Sequence, residues 1–365
     1  MPRRPLIEQL WHRDRAPILW PVWAALTPLS GLYRAALSLR SCLLSRSERA
    51  PLPVISIGNL TVGGNAKTPF ALYLARLLQA HGYKIGIVSR GYGRSQNTPR
   101  LVADGGELLV DAVQGGDEPA MMAHRFEGPI AVASRRIEAI RMLAQRQSLD
   151  VIILDDGFQH RELYRDLDLI VVSSHNGFGN GWLLPAGPLR EPLAALSRAD
   201  AVIIVTSNDE SDALSSGERQ SISHRPVLRA SVKPTALVQA SAAGWFEHPL
   251  ALRGRTIVAV SGLANPAGFI AMIAGLGAHI VSSLAFPDHH QYSPEDWDEI
   301  RVAAKGTDLV ITTEKDLVKL QAFSPTIPSL YALRVELTMD EEGEAQLLEM
   351  ARDAIRNSRD RTSLD

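Results

Sequence analysis

The chain has 365 residues, of which 45% are hydrophobic and 21% charged, a globular composition long enough for two domains of ordinary size. This apolar content excludes disorder as the main state. The formal net charge of −2 gives the whole chain no affinity for polyanions, so no nucleic-acid partner is expected. The single cysteine, Cys42, excludes a disulfide framework and a multi-thiolate zinc site.

The first 50 residues differ from the remainder in charge. Eight arginines stand against three carboxylates, a net charge of +5, and three of the six tryptophans lie here. Prolines and polar residues interrupt the apolar run 18–44, so neither a membrane-spanning helix nor a signal peptide is expected. Two interpretations remain: a helix in the membrane interface, with arginines facing anionic headgroups, or an amphipathic helix packed on its own domain.

In chain order, short apolar runs alternate with segments of helical periodicity. This alternation predicts a parallel sheet covered by helices on both faces. The expected strands are 53–58, 84–88, 129–133, 151–154, 167–172 and 201–205, with a hairpin at 100–110 and helices starting near 67, 117 and 135.

The remainder of the chain predicts a linker and a second α/β unit. Residues 207–250 are polar with short β-like pieces, and strands are then expected at 256–260, 280–284 and 309–312, with helices from about 266 and 294. The last helix could pack on either domain. The expected division is therefore an amino-terminal segment 1–50, a larger domain 51–225, a β-type linker 226–252 and a smaller α/β domain 253–365.

The loop GNLTVGGNAKT (58–68), between a predicted strand and helix, has the context of a phosphate-binding loop. Backbone N–H groups of a glycine-rich turn converge on phosphate oxygens, and the helix N-terminus adds its dipole. Lys67 would neutralise β/γ-phosphate charge, and the Thr68 hydroxyl would ligate Mg²⁺. The match is imperfect because Thr61 and Ala66 stand at glycine positions, so a plain strand–turn–helix junction remains an alternative. The expected nucleotide-binding residues are Gly63, Gly64, Asn65, Ala66, Lys67 and Thr68.

The strand 151–154 ends in the adjacent acids Asp155 and Asp156, the pattern of a second nucleotide-binding motif. Ligands bind at the carboxyl ends of strands in open α/β sheets, and Asp155 could hold Mg²⁺ directly or through water. Two neighbouring carboxylates repel unless a cation or hydrogen bonds compensate them. The alternative is a solvated acidic turn or a helix cap.

Seven motifs occur in one order and together resemble the tetraacyldisaccharide 4′-kinase family of the lipid A pathway: GNLTVGGNAKTP (58–69), SRGYGR (89–94), GDEP (116–119), DDGFQH (155–160), LLPAGPLREP (183–192), FPDHHQY (286–292) and TTEKD (312–316). The resemblance covers roughly residues 10–335. It implies a larger P-loop domain and a smaller C-terminal domain joined by a β-stranded linker. The family usually has glycine where this chain has Ala66.

The same resemblance implies an activity and a location. The activity is phosphorylation by ATP, with Mg²⁺, of the 4′-hydroxyl of a tetraacylated glucosamine disaccharide 1-phosphate. The location is the cytoplasmic face of the bacterial inner membrane, where residues 1–45 would contact the membrane surface and the substrate would be a membrane-embedded glycolipid. The rival interpretations are an NTP-hydrolysing switch and a nucleotide-binding membrane scaffold without kinase activity.

A sugar hydroxyl is a poor nucleophile, so a carboxylate or histidine should accept its proton. Asp117 and Glu118 are the candidates for this role, although an N-cap is the commoner role of an aspartate such as Asp117. The resemblance makes Asp117 the base, assisted by His289, with Lys67 also catalytic and Glu118 organising Mg²⁺. Because His289 is expected in the smaller domain, the site would be complete only on domain closure. Lys315 has no assigned role. The expected substrate contacts are Arg90, Tyr92, Arg135, Asp156, Gln159, His160 and Glu191.

Overall fold

A computed structural model describes residues 6–12, 17–43, 47–63, 66–94, 96–207, 214–241, 244–323 and 329–362. The chain forms two compact units, each assembled from separate stretches of sequence. The first unit comprises Met1–Ser89, Arg135–Ser231 and Thr338–Asp365, and the second comprises Arg90–Ser134 and Val232–Leu337. The division into continuous domains expected from the sequence stays a prediction.

Strands and helices alternate along most of the chain. The strands are β1 (Val54–Gly58), β2 (Ile85–Ser89), β3 (Arg100–Asp104), β4 (Glu107–Leu108), β5 (Ile130–Val132), β6 (Val151–Asp155), β7 (Leu167–Ser173), β8 (Ala201–Ser207), β9 (Val227–Ser241), β10 (Gly244–His248), β11 (Thr256–Ser261), β12 (His279–Ala285), β13 (Leu309–Thr313) and β14 (Leu330–Met339). The helices are α1 (Leu6–Trp11), α2 (Trp20–Leu43), α3 (Lys67–Ala80), α4 (Ala112–Gly115), α5 (Asp117–Ala123), α6 (Arg136–Arg146), α7 (Ser216–Ile222), α8 (Pro266–Gly275), α9 (Pro294–Ala303), α10 (Glu314–Leu320) and α11 (Glu341–Thr362).

The first unit is built on a parallel sheet in the order β8-β7-β1-β6-β2. Its central strands are buried along their whole length, which explains their continuous apolar sequences. Helix α3 buries the predicted stripe of Phe70, Leu74 and Leu78 and contacts β1, β2 and β6. Residue Ile57 of β1 pairs with Asp155 of β6, so the two strands end side by side. The α/β class and parallel sheet expected from the sequence are confirmed.

Helix α2 packs on the first unit through one face. The Ser30 hydroxyl donates to the Leu183 carbonyl at 2.9 Å, the Tyr33 hydroxyl donates to the Arg190 carbonyl at 3.0 Å, and Leu37 packs against the core. The helix nevertheless exposes large apolar side chains elsewhere: Trp20, Val22, Leu29, Leu32 and Leu39. In the described ranges, no helix combines the length and apolarity needed to cross a bilayer. Five of the eight arginines in the first 50 residues lie outside those ranges: Arg3, Arg4, Arg13, Arg15 and Arg46.

The second unit contains the parallel strands β12-β11-β13-β14, followed by β9, with β10 antiparallel to β9. Its other stretch forms an antiparallel group in which β3 pairs with β4 and β5, confirming the predicted hairpin. Helix α5 packs against α10, so the GDEP and TTEKD motifs lie on neighbouring helices.

The interval 207–250 is more regular than its sequence suggests. Its described part contains helix α7, strand β10 and the single 15-residue strand β9, where short β pieces were expected. Pro234 lies within β9 and made the run look interrupted, but a strand accommodates proline where no ladder N–H is required. Strand β14 was not predicted, because charged residues such as Arg334 and Glu336 interrupt its apolar pattern.

Candidate active site

The loop after β1 leads directly into α3, which begins at Lys67. Ala66 at the N-cap has φ 57° and ψ 25°, in the left-handed region, and offers no side-chain cap. The first N–H groups of α3 are therefore free of a capping side chain at Ala66 and can meet an anion. Gly63 has φ 102°, which suits a glycine. The expected nucleotide-binding residues Gly64 and Asn65 lie outside the described residues.

Close packing brings this loop up to the end of β6. At Gly58, the last residue of β1, an added Cβ would lie 2.4 Å from the Cβ of Phe158. Only glycine therefore allows the DDGFQH segment to pass this near to the start of the loop. The first and fourth motifs of the resemblance thus depend on each other sterically, although 100 residues separate Gly58 from Phe158 in sequence.

The two expected Mg²⁺ ligands of the first unit are in contact. The Thr68 hydroxyl donates to Oδ2 of Asp155 at 3.3 Å, and Asp155 is only 1% exposed at the end of β6. A hydroxyl and a carboxylate are hard oxygen donors, which suit Mg²⁺ completed by phosphate oxygens and water. In the described parts of the chain, no group of three or more His, Cys, Asp or Glu residues could form a metal cage. The donor set therefore fits Mg²⁺ bound together with a nucleotide.

Asp156, with φ 53°, is held by two cations. The Lys67 ammonium lies 3.5 Å from its Oδ1, and the Arg190 guanidinium donates to both its oxygens at 3.2 and 3.0 Å. Burial raises the pKa of Asp156, but the charges of Lys67 and Arg190 outweigh burial and lower it. These cations offset the repulsion between Asp155 and Asp156. Arg190 and Asp156 are 34 residues apart, and no local spacing in the sequence links them.

The second unit brings Asp117 and His289 together. Asp117 is 4% exposed at the start of α5, and His289 Nδ1 lies 3.1 Å from both of its carboxylate oxygens. The Lys319 ammonium donates to Oδ2 of Asp117 at 3.3 Å. The N-cap of α5 is Gly116, so the alternative interpretation of Asp117 as an N-cap is wrong. An added Cβ at Gly116, with φ 91°, would lie 3.0 Å from the Cα of Gly91.

The charges around Asp117 and His289 determine their protonation. Burial raises the pKa of Asp117, but the hydrogen bond and charge of His289, with the ammonium groups of Lys315 and Lys319, lower it to about 2. Burial lowers the pKa of His289, but Asp117 reverses this effect, and the net direction is upward. Asp117 is therefore a carboxylate at neutral pH. The exposed ring of Tyr92 lies 4.7 Å from the His289 ring, between centroids.

Glu118 and Lys315 adjoin this pair. The Lys315 ammonium donates to Oδ1 of Asp288 at 2.7 Å, lies 3.2 Å from His289 Nε2 and lies 3.8 Å from Oε1 of Glu118. Burial lowers the pKa of Lys315, but the charges of Glu118 and Asp288 outweigh burial, and the net effect raises this pKa. The Lys315 side chain therefore stays charged. Glu118, the third expected metal ligand, thus belongs to the second unit and faces a cation.

The remaining expected substrate residues differ in their surroundings. Arg90 is exposed, and the exposed Arg135 pairs with Glu48 and Glu138 at 3.6 and 3.3 Å. The Gln159 side-chain amide donates to the Asn59 carbonyl at 2.7 Å, and His160 is partly buried. The Glu191 carboxylate accepts two hydrogen bonds from the Arg198 guanidinium, at 2.8 and 3.1 Å.

Backbone strain marks the same positions. In the described part of the chain, Ala66, Asp156 and His289 are the non-glycine residues with positive φ. Each of them is an expected site residue, and such conformations concentrate where function requires a particular geometry. A glycine-rich loop ending in Lys67-Thr68 at a helix start, with Thr68 against a buried aspartate at the end of a strand, defines the class of P-loop nucleotide-binding proteins.

Comparison with known proteins identifies the family. A family model described as Tetraacyldisaccharide-1-P 4′-kinase matches residues 22–352. A tetraacyldisaccharide 4′-kinase of Anaeromyxobacter dehalogenans is 42% identical over 328 residues, covering 86% of each chain. One of Syntrophus aciditrophicus is 36% identical and covers 94% of this chain and 98% of its own. A crystal structure of LpxK from Aquifex aeolicus in complex with ATP has a TM-score of 0.75 and 31% identity, covering 92% of this chain and 99% of that one.

The chain belongs to the tetraacyldisaccharide-1-P 4′-kinase family. It is accordingly a lipid kinase of lipid A biosynthesis that uses ATP with Mg²⁺ and acts on a hydroxyl of a lipid A precursor. The predicted family, activity and cofactors are confirmed, and the rival switch and scaffold interpretations are not supported. The roles of individual residues stay predictions.

Proposed function

We propose that Lys67 and the N-terminus of α3 bind the β- and γ-phosphates of ATP, while Thr68 and Asp155, with Glu118, hold Mg²⁺. Mg²⁺, when bound, neutralises charge on the transferred phosphoryl group. The contact between Thr68 and Asp155 at 3.3 Å carries this assignment, because it places two oxygen donors at the phosphate-binding helix. Lys67, at 3.5 Å from Asp156, supplies positive charge at the same point.

We further propose that Asp117 accepts the proton of the 4′-hydroxyl. A carboxylate with a pKa of about 2 is a weak base toward a free sugar hydroxyl. The transition state of phosphoryl transfer is loose, so the proton leaves mainly after the bond to phosphorus has begun to form and the hydroxyl has become acidic. Asp117 therefore needs to be ionised and correctly oriented more than strongly basic. His289 orients it by donating from Nδ1, and Lys319 supplies a second donor.

The remaining site residues are proposed to bind the glycolipid. Arg90 and Arg135 suit its 1-phosphate, because guanidinium groups pair with phosphate in a bidentate manner. The ion pairs of Arg135 are exposed, and such pairs contribute little, so a phosphate can replace them. Tyr92, Gln159 and His160 are proposed to contact the sugar rings.

Two of the expected substrate residues act through a neighbouring cation in this proposal. Asp156 positions Lys67 and Arg190, and Glu191 positions Arg198. The carboxylates of both residues already accept from these cations. A contact between Asp156 or Glu191 and the sugar would therefore have to share an oxygen that a cation already uses.

We propose that α2 rests on the cytoplasmic face of the inner membrane and brings the enzyme to a membrane-embedded substrate. Leu32, 68% exposed, and Leu39 lie on this helix away from its packed residues. Trp20, Trp23 and Trp182 form a chain of ring contacts, with centroids 6.4 and 5.0 Å apart. Exposed apolar side chains with tryptophan and arginine are typical of membrane-interface helices.

The experiment that tests the proposed roles is mass spectrometry of a tetraacyldisaccharide 1-phosphate after incubation with Mg-ATP. The wild type should add one phosphate at the 4′ position. Lys67→Ala should abolish the transfer, because the cation that meets the phosphates is lost. The exposed Lys84, replaced by alanine, is the matched control and should leave the product yield unchanged. A Lys67→Ala variant as active as the control would refute the assignment of the phosphate loop.

A further inference from the structure

Helices α5 and α10 pack together and are bonded to each other near both of their ends. The Lys319 ammonium, near the end of α10, donates at 3.3 Å to the carboxylate of Asp117, the first residue of α5. The Arg125 guanidinium, two residues after the end of α5, donates at 3.0 Å to Oε2 of Glu314, the first residue of α10. The start of each helix therefore lies against the end of the other, and the two helices run antiparallel.

Glu314, the glutamate of the TTEKD motif, is the buried centre of the second of these contacts. Its side chain is only 4% exposed, as is that of Arg125. Its other carboxylate oxygen, Oε1, accepts from Nε of Arg334 on β14 at 2.8 Å. Arg125 also donates to the carbonyl of Val335 on the same strand at 2.9 Å. The Arg125–Glu314 pair thus ties the end of α5 to both α10 and β14.

The apolar side chains of α5 define its register less strictly than these polar contacts. Four consecutive buried residues are small or flexible: Ala120, Met121, Met122 and Ala123. Methionine in particular adapts its shape to a displaced neighbour. A hydrogen-bonded ion pair is directional, and breaking it inside a protein leaves a buried charge without its partner. A buried polar contact can therefore specify a register that apolar packing leaves open.

We propose that Glu314 and Arg125 are positioning residues for the reaction: they set the register of α5 on α10, and this register places the Asp117 carboxylate. The proposal rests on the proposed role of Asp117 as base. Helix α5 has seven residues and is therefore about 10 Å long, so a shift at its Arg125 end moves Asp117 as part of one short, rigid element. Glu314 and Arg125 act through Asp117 in this scheme and bind neither phosphate nor sugar.

The kinetics of Glu314→Gln in the full-length enzyme test this proposal. Glutamine keeps the shape of the side chain but lacks the charge that pairs with Arg125. The kcat should fall about 10- to 100-fold, because a misplacement of about 1 Å can reduce a rate by this much. The KM values for Mg-ATP and for tetraacyldisaccharide 1-phosphate should change little, because the orientation of the base affects the transition state and not ground-state binding.

Ile273→Ala is the matched control for a loss of stability alone. Ile273 is a fully buried residue of α8 that packs in a cluster with Ile257 of β11 and Phe269 of α8. Truncating a buried isoleucine destabilises a domain strongly, so the unfolding midpoint should fall by an amount similar to that in Glu314→Gln. The kcat of Ile273→Ala, measured at a temperature where both variants are folded, should match that of the wild type.

Methyl NMR of methionine-labelled full-length protein reports the position of α5 independently of catalysis. Met121 and Met122 lie on α5, whereas Met272 lies on α8 beside Ile273. In Glu314→Gln, the signals of Met121 and Met122 should shift while that of Met272 stays in place. Ile273→Ala should give the reverse pattern.

Two further variants separate positioning from stability. In the double variant Arg125→Met with Glu314→Met, apolar side chains replace the ion pair, an exchange that often preserves stability, and Arg334 keeps its contact with Glu247. The unfolding midpoint should recover toward that of the wild type, but kcat should stay low, because methionine supplies no directional contact. Arg125→Lys keeps a cation opposite Glu314 and should retain more of kcat than Arg125→Met.

Three results would overturn the proposal: an unchanged kcat in Glu314→Gln, unchanged signals of Met121 and Met122 in that variant, or an equal loss of kcat in Ile273→Ala. Recovery of kcat together with stability in the double methionine variant would also overturn it. If Glu314→Gln does not fold, equal kcat values in Arg125→Lys and Arg125→Met refute the proposal instead. Failure of the base assignment gives a different result, in which Asp117→Asn retains kcat while the methionine signals of α5 still shift in Glu314→Gln.

Discussion

Replacing Ala66 by glycine should stabilise the protein, although glycine in general destabilises folded chains. At φ 57° and ψ 25°, Ala66 holds the left-handed conformation in which a Cβ crowds the following carbonyl. That conformation costs an L-residue about 1–2 kcal/mol, whereas glycine adopts it freely. The greater conformational freedom of glycine in the unfolded chain offsets about 0.4–1 kcal/mol of this stabilisation. The net gain should be about 0.5–1 kcal/mol in the free energy of unfolding.

The same substitution elsewhere on α3 provides a control of opposite sign. Ala80 is the last, exposed residue of this helix, and Ala80→Gly should lower stability by up to about 1 kcal/mol, because glycine is unfavourable in a helix. Thermal and urea unfolding measure both variants, with an expected rise in midpoint of about 1–3 °C for Ala66→Gly. A midpoint at or below that of the wild type for Ala66→Gly would show that Ala66 is not strained in solution.

Three further predictions concern Asp117, the pH dependence of stability, and the exposed face of α2. Asp117→Asn should lower kcat roughly 10²- to 10⁴-fold, with ATP affinity by calorimetry unchanged; an undiminished kcat would remove Asp117 as the base. Because the pKa of Asp117 falls from 3.8 to about 2 on folding, its ionisation stabilises the folded state above pH 3.8, and this contribution is lost as the pH falls toward 2. The difference in urea midpoint between wild type and Asp117→Asn should therefore shrink over that pH range, and a constant difference would contradict the shift. Leu32→Glu with Leu39→Glu should weaken co-sedimentation with anionic vesicles, unlike the control Lys84→Ala, and unchanged binding would remove α2 as the membrane contact.

Local sequence pattern was sufficient to predict the strand and helix on either side of the proposed phosphate-binding loop. An apolar strand, a glycine-rich loop and a Lys-Thr pair at a helix start are contiguous in sequence, and β1 and α3 appear where they were expected. The same holds for β6 and Asp155. The sequence could not show that Ala66 would retain the left-handed backbone of a glycine, since conformational strain leaves no trace in composition.

Sequence patterns could not predict the contacts between residues that are far apart in the chain. Asp117 and His289 are 172 residues apart, and only the resemblance to a family paired them. Arg190 pairs with Asp156 and Lys315 reaches His289 through tertiary packing that no spacing encodes. The sequence also favoured continuous domains, because periodicity along a chain carries no information about which distant stretches form one compact unit.

The first unit is assembled from separate stretches of sequence, the last of which is the C-terminal helix α11, and this order affects its folding during synthesis. Helix α11 contacts β1 and β7, and it buries Leu347, Ala351 and Ile355. The Tyr73 hydroxyl of α3 donates to Glu344, and Arg361 contacts Asp166 and Tyr164, so both ends of α11 are bonded to earlier stretches of the first unit. While the ribosome is still translating the stretch that follows Leu337, the apolar surface that α11 will cover stays open to water or to a chaperone. A nascent chain that stops before α11 should therefore aggregate or be degraded.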